Sequence, residues 1–459
     1  MKNLNYLIFT ISLVFTMVIT SAPAQNKISL LRYDDDFSHL KNDSIKKGLS
    51  HLKNISLRNK YHISFGGELR EQFQIYRNIN FGDVPSTYKK ISANQLWHRL
   101  MLHSNIELGN HFRFFIQLNN TLRLLNNNPV VPEIDENQLS LHQAFAEVKL
   151  NHWKFRLGRQ ELLYGNHRLL TVREGPNTRQ AFDGLVIKKV FKNGGLDFFA
   201  VSKVISKQYV FNDQSFKEGL IGIYGTQLFS NRKMGLDYYT VNFQSRLRKY
   251  NYRSGFENRQ TYGSRLFSNF RKINFELESA WQSGKFCDLA IRAYSILADL
   301  HIIVLPAKKG IIGFATTIAS GDKNNADNKL NTYNLLFAKP AYGLGVPIGA
   351  TNIISLNPYI KINPIQKLNI LAQVFFLARN SNQDGTYSPG MIQNRPKPGL
   401  YLSQEKALGT FYLIEANYQQ TKNLLFSFDA SFFKAGSYPK ATGRGEDITY
   451  LSFKSTFKF

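Results

Sequence analysis

WKFRLGRQELLYGNHRLLTVREGPNTRQAFDGLVIKK, residues Trp153 to Lys189, is the stretch whose reading decides the fold. It opens as an alternating strand, with Trp153, Phe155 and Leu157 against Lys154 and Arg156. A basic loop punctuated by Gly and Pro follows, and a second strand resumes at Phe182-Asp183-Gly184. From Arg156 to Arg179 there are five arginines (156, 159, 168, 173 and 179), one histidine and only two acids. Two strands around a long cationic loop suit a wall that lines something wet and anionic better than they suit a soluble core.

The same period of two extends outward from this stretch over most of the chain, starting at Ile63. Phe65, Leu69, Phe73 and Ile75 share one face of a first strand, and Ser64, Glu68, Arg70, Gln72 and Gln74 share the other. Next, Leu96, Leu100, Leu102, Ile106 and Leu108 oppose Arg99, His103, Asn105 and Glu107. Phe112, Phe114, Ile116, Leu118 and Leu122 then oppose Arg113, Gln117, Asn119, Thr121 and Arg123. Similar segments recur to the C-terminus, about eighteen in all, each near the 9–11 residues that a tilted strand needs to cross a bilayer. Short turns such as Gly109-Asn110 and Arg271-Lys272 alternate with long connections near 77–95, 124–138, 163–180, 205–219, 244–257, 322–350, 380–406 and 437–446. That alternation predicts an all-β fold, a transmembrane antiparallel outer-membrane β-barrel of about eighteen strands with short periplasmic turns. The stretch quoted above supplies its fifth and sixth strands and a loop able to fold inward. A β-propeller would show a repeat of 40–50 residues, and none is visible.

Composition agrees. Apolar residues make up 43% of the 459 residues and aromatics 14%, yet mean hydropathy is slightly negative at −0.29, as expected when lipid-facing and luminal residues alternate. Met1-Lys2-Asn3, an apolar run from Tyr6 to Thr20 and Ala22-Pro23-Ala24 read as a secretory signal peptide over residues 1–24. Residues 25–62 then form a short periplasmic extension, and 63–459 the barrel. Export removes nucleic acid from the partners that a net charge of +26 would otherwise suggest. The single cysteine, Cys287, can close no internal disulfide. The chain ends with Leu451, Phe453, Phe457 and Phe459 on one face, which closes the barrel and resembles the signal by which assembly machinery recognises outer-membrane barrels.

Strand parity assigns the charges. An arginine facing lipid at mid-bilayer costs roughly 2–4 kcal/mol, so Arg70, Arg99, Arg113, Arg123, Lys154, Arg156, Arg265 and Arg292 are expected in the lumen. Some should pair with Glu68, Glu107, Glu147, Glu276 and Glu278, but pairing cannot absorb the whole excess. Rings of Arg and Lys select anions, and guanidinium groups hold carboxylates bidentately.

LGRQELLYGNHRLL followed by FDG, together with RYDDDFSHL at 32–40 and SFGGELREQF at 64–73, resembles the alginate-export family of outer-membrane barrels. The resemblance covers nearly all of the mature chain. It implies a monomeric eighteen-stranded barrel in the outer-membrane lipid, with an electropositive channel that passes a polyuronate passively. It also implies that Arg156, Arg159, Arg168, Arg179 and Asp183 line that channel, with Arg70 from the first strand. A general or small-anion porin of the same fold remains open. No nucleophile elbow or zinc-protease motif argues for an enzyme, and no cofactor or metal is expected. Asp34-Asp35-Asp36 and the Asp322, Asn324, Asp327 set lack calcium-loop spacing.

Overall fold

The structure, a computed structural model, describes residues 28–40, 48–58, 60–84, 91–125, 135–251, 253–396 and 403–459. The signal-peptide reading of residues 1–24 lies outside the described residues. Eighteen antiparallel strands form the wall: β1 Tyr61–Arg77, β2 Ala93–Leu108, β3 Phe112–Leu125, β4 Asn137–Leu150, β5 Trp153–Gln160, β6 Phe182–Phe191, β7 Gly194–Lys203, β8 Glu218–Phe229 and β9 Met234–Tyr250. The circuit continues with β10 Arg253–Ser268, β11 Ile273–Phe286, β12 Leu289–Leu305, β13 Gly310–Ala319, β14 Ile353–Ile365, β15 Leu368–Ala378, β16 Ala407–Gln419, β17 Leu424–Ala435 and β18 Ile448–Lys458.

Each strand pairs with its sequence neighbours, and β18 pairs with β1 from Glu68↔Lys458 to Arg77↔Thr449 without a register shift. Gly67 and Phe459 exchange backbone hydrogen bonds at 3.0 Å beyond the last pair. The sheet is therefore closed and has no free edge.

Why these residues make a barrel is visible in the accessibility of alternate positions. Phe65 and Phe73 on β1, Phe112, Phe114, Ile116 and Leu118 on β3, and Phe428 and Phe432 on β17 are exposed on the outside. Their intervening neighbours Ser64, Gln72, Arg113, Gln117 and Asn119 are buried inside. An outward apolar band with a polar interior is the membrane-barrel pattern.

Eight connections of two to four residues lie at the end where the barrel begins and finishes, and nine lie at the other end. We call these the turn end and the loop end. One connection departs from the sequence reading: the expected long loop at 244–257 is mostly strand. β9 and β10 run on past a bulge between Ser245 and Arg248 and are joined by two residues. The apolar alternation stops there because the hairpin rises beyond the apolar band, leaving RLRKYNYRSG without an alternating apolar face, although Tyr250 within it is buried. A short α-helix, α1 (Ser437–Ala441), caps the β17–β18 connection.

The lumen is largely filled. The connections 161–181 and 320–352 turn inward and meet, with Phe337 N–H donating to Leu169 O at 3.2 Å and Lys339 N–H to His167 O at 2.9 Å. Leu169 and Leu170 from the first and Leu336 and Phe337 from the second join Phe182, Phe199, Val241 and Phe243 of the wall in one apolar cluster. Residues 28–40 enter from the turn end and pack inside β1–β5.

Candidate functional site

The site starts from a pair of glycines. Gly158 of the LGRQ motif pairs directly with Gly184 of FDG, with φ values of 129° and 152° that L side chains avoid. A Cβ at Gly158 would lie 2.3 Å from Ala144 O, and one at Gly184 would lie 2.2 Å from Ala200 O. These two positions set how β5 and β6 leave the wall, and the 21 residues between them, Glu161 to Ala181, fold into the lumen.

A buried ion cluster pins that loop to β1 and β2. Arg70 donates to Glu174 O at 2.9 Å and to Pro176 O at 3.0 Å. Arg99 holds Glu68 Oε1 at 2.9 and 2.5 Å and Glu174 Oε1 at 2.5 Å. Arg179 donates to Glu174 and reaches Glu68 and Glu161 at 3.5 Å each. His142 Nε2 closes the cluster on Glu161 at 2.9 Å. Burial raises the Glu174 pKa, but Arg179, Arg99 and Arg70 outweigh it and hold the carboxyl well below its usual range. Three arginines thus face three glutamates. Asn177 adds amide hydrogen bonds to the carbonyls of His98, Leu122 and Asp135 at 3.2, 3.2 and 2.8 Å.

The N-terminal segment uses the same logic from below. Arg32 donates to Gly67 O at 2.8 Å and to Phe459 O at 2.6 Å, so it caps the β1–β18 seam. Tyr33 sits edge-on to Phe145 with ring centroids 5.4 Å apart, beneath the Arg156 guanidinium at 4.0 Å, and its hydroxyl donates to Glu161 O at 2.8 Å. Arg156 is itself held by Glu147 at 2.9 and 2.5 Å.

The expected luminal arginines therefore divide. Arg70, Arg99, Arg156 and Arg179 point inward but are bound to carboxylates or carbonyls. So are Arg123, 3.4 Å from Asp135, and Arg265, 2.8 and 3.0 Å from Asp237 and Glu276. Two expectations need correction. Arg159 and Asp183 do not line the lumen: by register they share a face with the exposed Leu157 and Leu185. There they pair with each other at 2.7 and 2.8 Å, covered by the 204–217 connection through Ser215, 2.5 Å from Asp183. Arg292 is also exposed on the outward face near the loop end of β12. Both sit near the rim, where an outward charge reaches headgroups or protein cover and the mid-bilayer penalty does not apply.

What stays open is a cavity of about 580 Å³ against β11–β16. Arg168 and Lys339, one from each inward loop, line it together with Glu174, Glu278, Glu415, Tyr333, Asn357 and Gln373. Arg168 Nε is buried without a hydrogen-bond partner among the described residues. Lys339 is reached by water from the cavity yet ringed by wall; that enclosure and the Arg168 charge lower its pKa. Lys339 is not among the residues expected from the sequence, where 322–350 is only a long connection; the apolar run Leu335-Leu336-Phe337-Ala338 just before it is the signal that this loop is buried. Among the described residues no set of His, Cys, Asp and Glu could hold a metal ion.

A closed antiparallel barrel with an outward apolar band and a loop-filled polar lumen defines a transmembrane β-barrel protein. The alginate export family model matches residues 61–449, and the chain belongs to that family. Among solved structures it is similar to Pseudomonas aeruginosa OccK2 (OpdF) in complex with glucuronate, with a TM-score of 0.61 and 8% identity over 86% of this chain and 98% of that one. It is also similar to P. aeruginosa OccK8 (OprE), at TM-score 0.59 and 12% identity, and to the P. aeruginosa outer membrane protein OpdK, at 0.60 and 9%, each covering 86% of this chain and 98% of theirs. No curated protein sequence matches.

Proposed function

We propose that this protein is an outer-membrane channel that passes an acidic glycan, one sugar unit at a time, through the Arg168–Lys339 cavity. The observation that carries the reading is that these two cations stand on the two inward loops with no ion-paired carboxylate among the described residues, while the inward arginines of the wall are already bound. A uronate carboxylate between Arg168 and Lys339 satisfies both, and Glu278, Glu415, Asn357 and Gln373 can accept from or donate to ring hydroxyls. Membership of the alginate export family and the glucuronate bound in a neighbour of the same fold support an acidic sugar as the client. In this reading the eight connections of the turn end face the periplasm and the nine of the loop end face outward.

A channel for single small acids is the second reading. It is favoured by cavity size, since about 580 Å³ falls in the 300–1,000 Å³ range typical of small-molecule sites. Current through single channels in planar bilayers separates the two. Alginate oligomers should interrupt the current where neutral dextrins of equal length do not, and the Arg168→Ala/Lys339→Ala double variant should weaken that block at least tenfold. Block by a monomeric uronate alone would favour the second reading, and cation selectivity would sink both.

A further inference from the structure

The two mouths of the barrel carry different charge. The nine loop-end connections hold sixteen basic and fourteen acidic residues, close to balance. The eight turns hold nine basic residues and not one Asp or Glu. Three of them carry adjacent pairs, Arg232-Lys233, Arg271-Lys272 and Lys308-Lys309. Three more carry one lysine each, Lys192, Lys367 and Lys422. All nine side chains are exposed. Two touch only main-chain oxygens, Arg232 on Lys192 O at 2.9 Å and Lys367 on Gln420 O at 3.0 Å. None of the nine is ion-paired among the described residues.

Their arrangement is continuous. The six basic turns are consecutive, from the β6–β7 turn round to the β16–β17 turn. The two turns without Lys or Arg, 109–111 and 151–152, belong to the sector where residues 28–40 pack inside β1–β5. Strands lie about 4.8 Å apart, so successive turns on a tilted wall fall roughly 12 Å apart. That is close to the Debye length of about 8 Å at physiological salt. The fields of neighbouring turns therefore overlap, giving a collar of positive potential around some two-thirds of the mouth. Such a collar raises the local concentration of an anion and its rate of encounter, most of all for a ligand with several charges.

We infer that this turn-end collar is the capture surface for the channel's client, an acidic polysaccharide chain arriving from the periplasmic side. Its many weak contacts hold the chain at the mouth and leave it mobile, while the Arg168–Lys339 cavity selects within. The inference rests on the acidic-glycan reading and adds a side to it.

The test uses full-length protein in a planar bilayer with alginate oligomers as the probe. Orientation is read channel by channel with an impermeant maleimide, because Cys287 is the only cysteine and is exposed at the loop end. The rate of onset of block should be about tenfold or more higher from the turn side than from the loop side at low salt. It should fall steeply as salt rises. In the Arg271→Gln/Lys272→Gln/Lys308→Gln/Lys309→Gln variant, whose changes lie wholly in turns, it should drop toward the loop-side value with unitary conductance retained. Equal onset rates from the two sides, or a variant that keeps the wild-type asymmetry, would overturn the collar as capture surface, leaving its lysines as contacts for anionic lipid headgroups while the acidic-glycan reading stands. No block from either side would remove that reading, and the inference with it.

Discussion

Replacing Arg179 with Met tests whether the buried ion cluster holds the first inward loop in the lumen. Wild type sets Arg70, Arg99 and Arg179 against Glu68, Glu161 and Glu174, all within a few ångströms of one another. The Met variant leaves two arginines, with Lys458 3.5 Å from Glu68, for three carboxylates, one cation fewer than wild type in a site with no exposed arginine side chain. Removing one partner of a buried ion pair costs about 3–5 kcal/mol, because the remaining charge is stranded. At 1.4 kcal/mol per decade, the balance between a seated and a released loop shifts roughly 150- to 4,000-fold. The eighteen-strand ladder is not involved, so the expected result is local opening with the barrel intact. Single-channel conductance should rise and become noisier, and amides between Thr171 and Gln180 should exchange faster. Gel mobility of the unheated folded protein should stay unchanged. The compensated Arg179→Met/Glu174→Gln variant, with the wild-type charge balance of the cluster restored, should recover most of the wild-type conductance. An Arg179→Met channel with wild-type conductance and exchange would refute the view that this cluster positions the loop.

Three further outcomes follow from the geometry. Gly158→Ala places a Cβ 2.3 Å from a neighbouring carbonyl at φ 129°, so strain of at least about 1–3 kcal/mol should lower the yield of folded barrel, read as heat-modifiable mobility on gels. Tyr33→Phe should cost only about 0.5–1.5 kcal/mol, the net worth of the hydrogen bond to Glu161 O; Tyr33→Ala empties the seat under Arg156 and should cost about 3–5 kcal/mol, seen as earlier protease cleavage of residues 28–40. Burial and Asp384 push the Asp322 carboxyl up to about 6. Its pKa is thus higher folded than unfolded, so the folded connection gains stability as pH falls from about 7 toward 4 and loses it on the way back. Protection of amides in 320–332, taken as the exchange rate relative to the unstructured rate at the same pH, should be greater at pH 5 than at pH 7.5, and Asp322→Asn should flatten that difference.

Strand number, closure and the in/out parity of β1 to β3 were legible because lipid contact forces an apolar residue at every second position through the apolar band. Beyond the band the forcing ends, and there the readings failed. The β9–β10 hairpin looked like a loop. Arg292 looked luminal because it is charged, although it shares parity with the outward Leu300. Arg159 is the sharper case: alternation from Trp153 onward already puts it opposite Arg156, and only the motif resemblance placed it inside. The inward course of 161–181 was within reach, but its partners were not. Glu68 lies on β1, far in sequence from Glu161 and Glu174 of the inward loop, and no local pattern couples it to them.

The distribution of charge changes what the arginines are for. A net +26 invites the picture of a positively lined tube, yet the inward arginines of β1–β6 and their loop are matched almost one for one by glutamates and serve to fasten inserted segments. Fastening and selecting make opposite demands: a guanidinium that grips a loop must be saturated, and one that grips a client must not. The chain separates them in space. Among the described residues, saturated arginines sit where loop meets wall, Arg168 and Lys339 line the cavity without an ion pair, and nine more cations without one sit on the turns. Selectivity should therefore respond to Arg168, Lys339 and the turn lysines. Neutral pair deletions inside the cluster and away from the cavity, such as Arg179→Met/Glu68→Gln, should alter conductance and leave the reversal potential in a KCl gradient where it was. A shift in reversal potential on removing such a pair would mean that the cluster is part of the ion path after all.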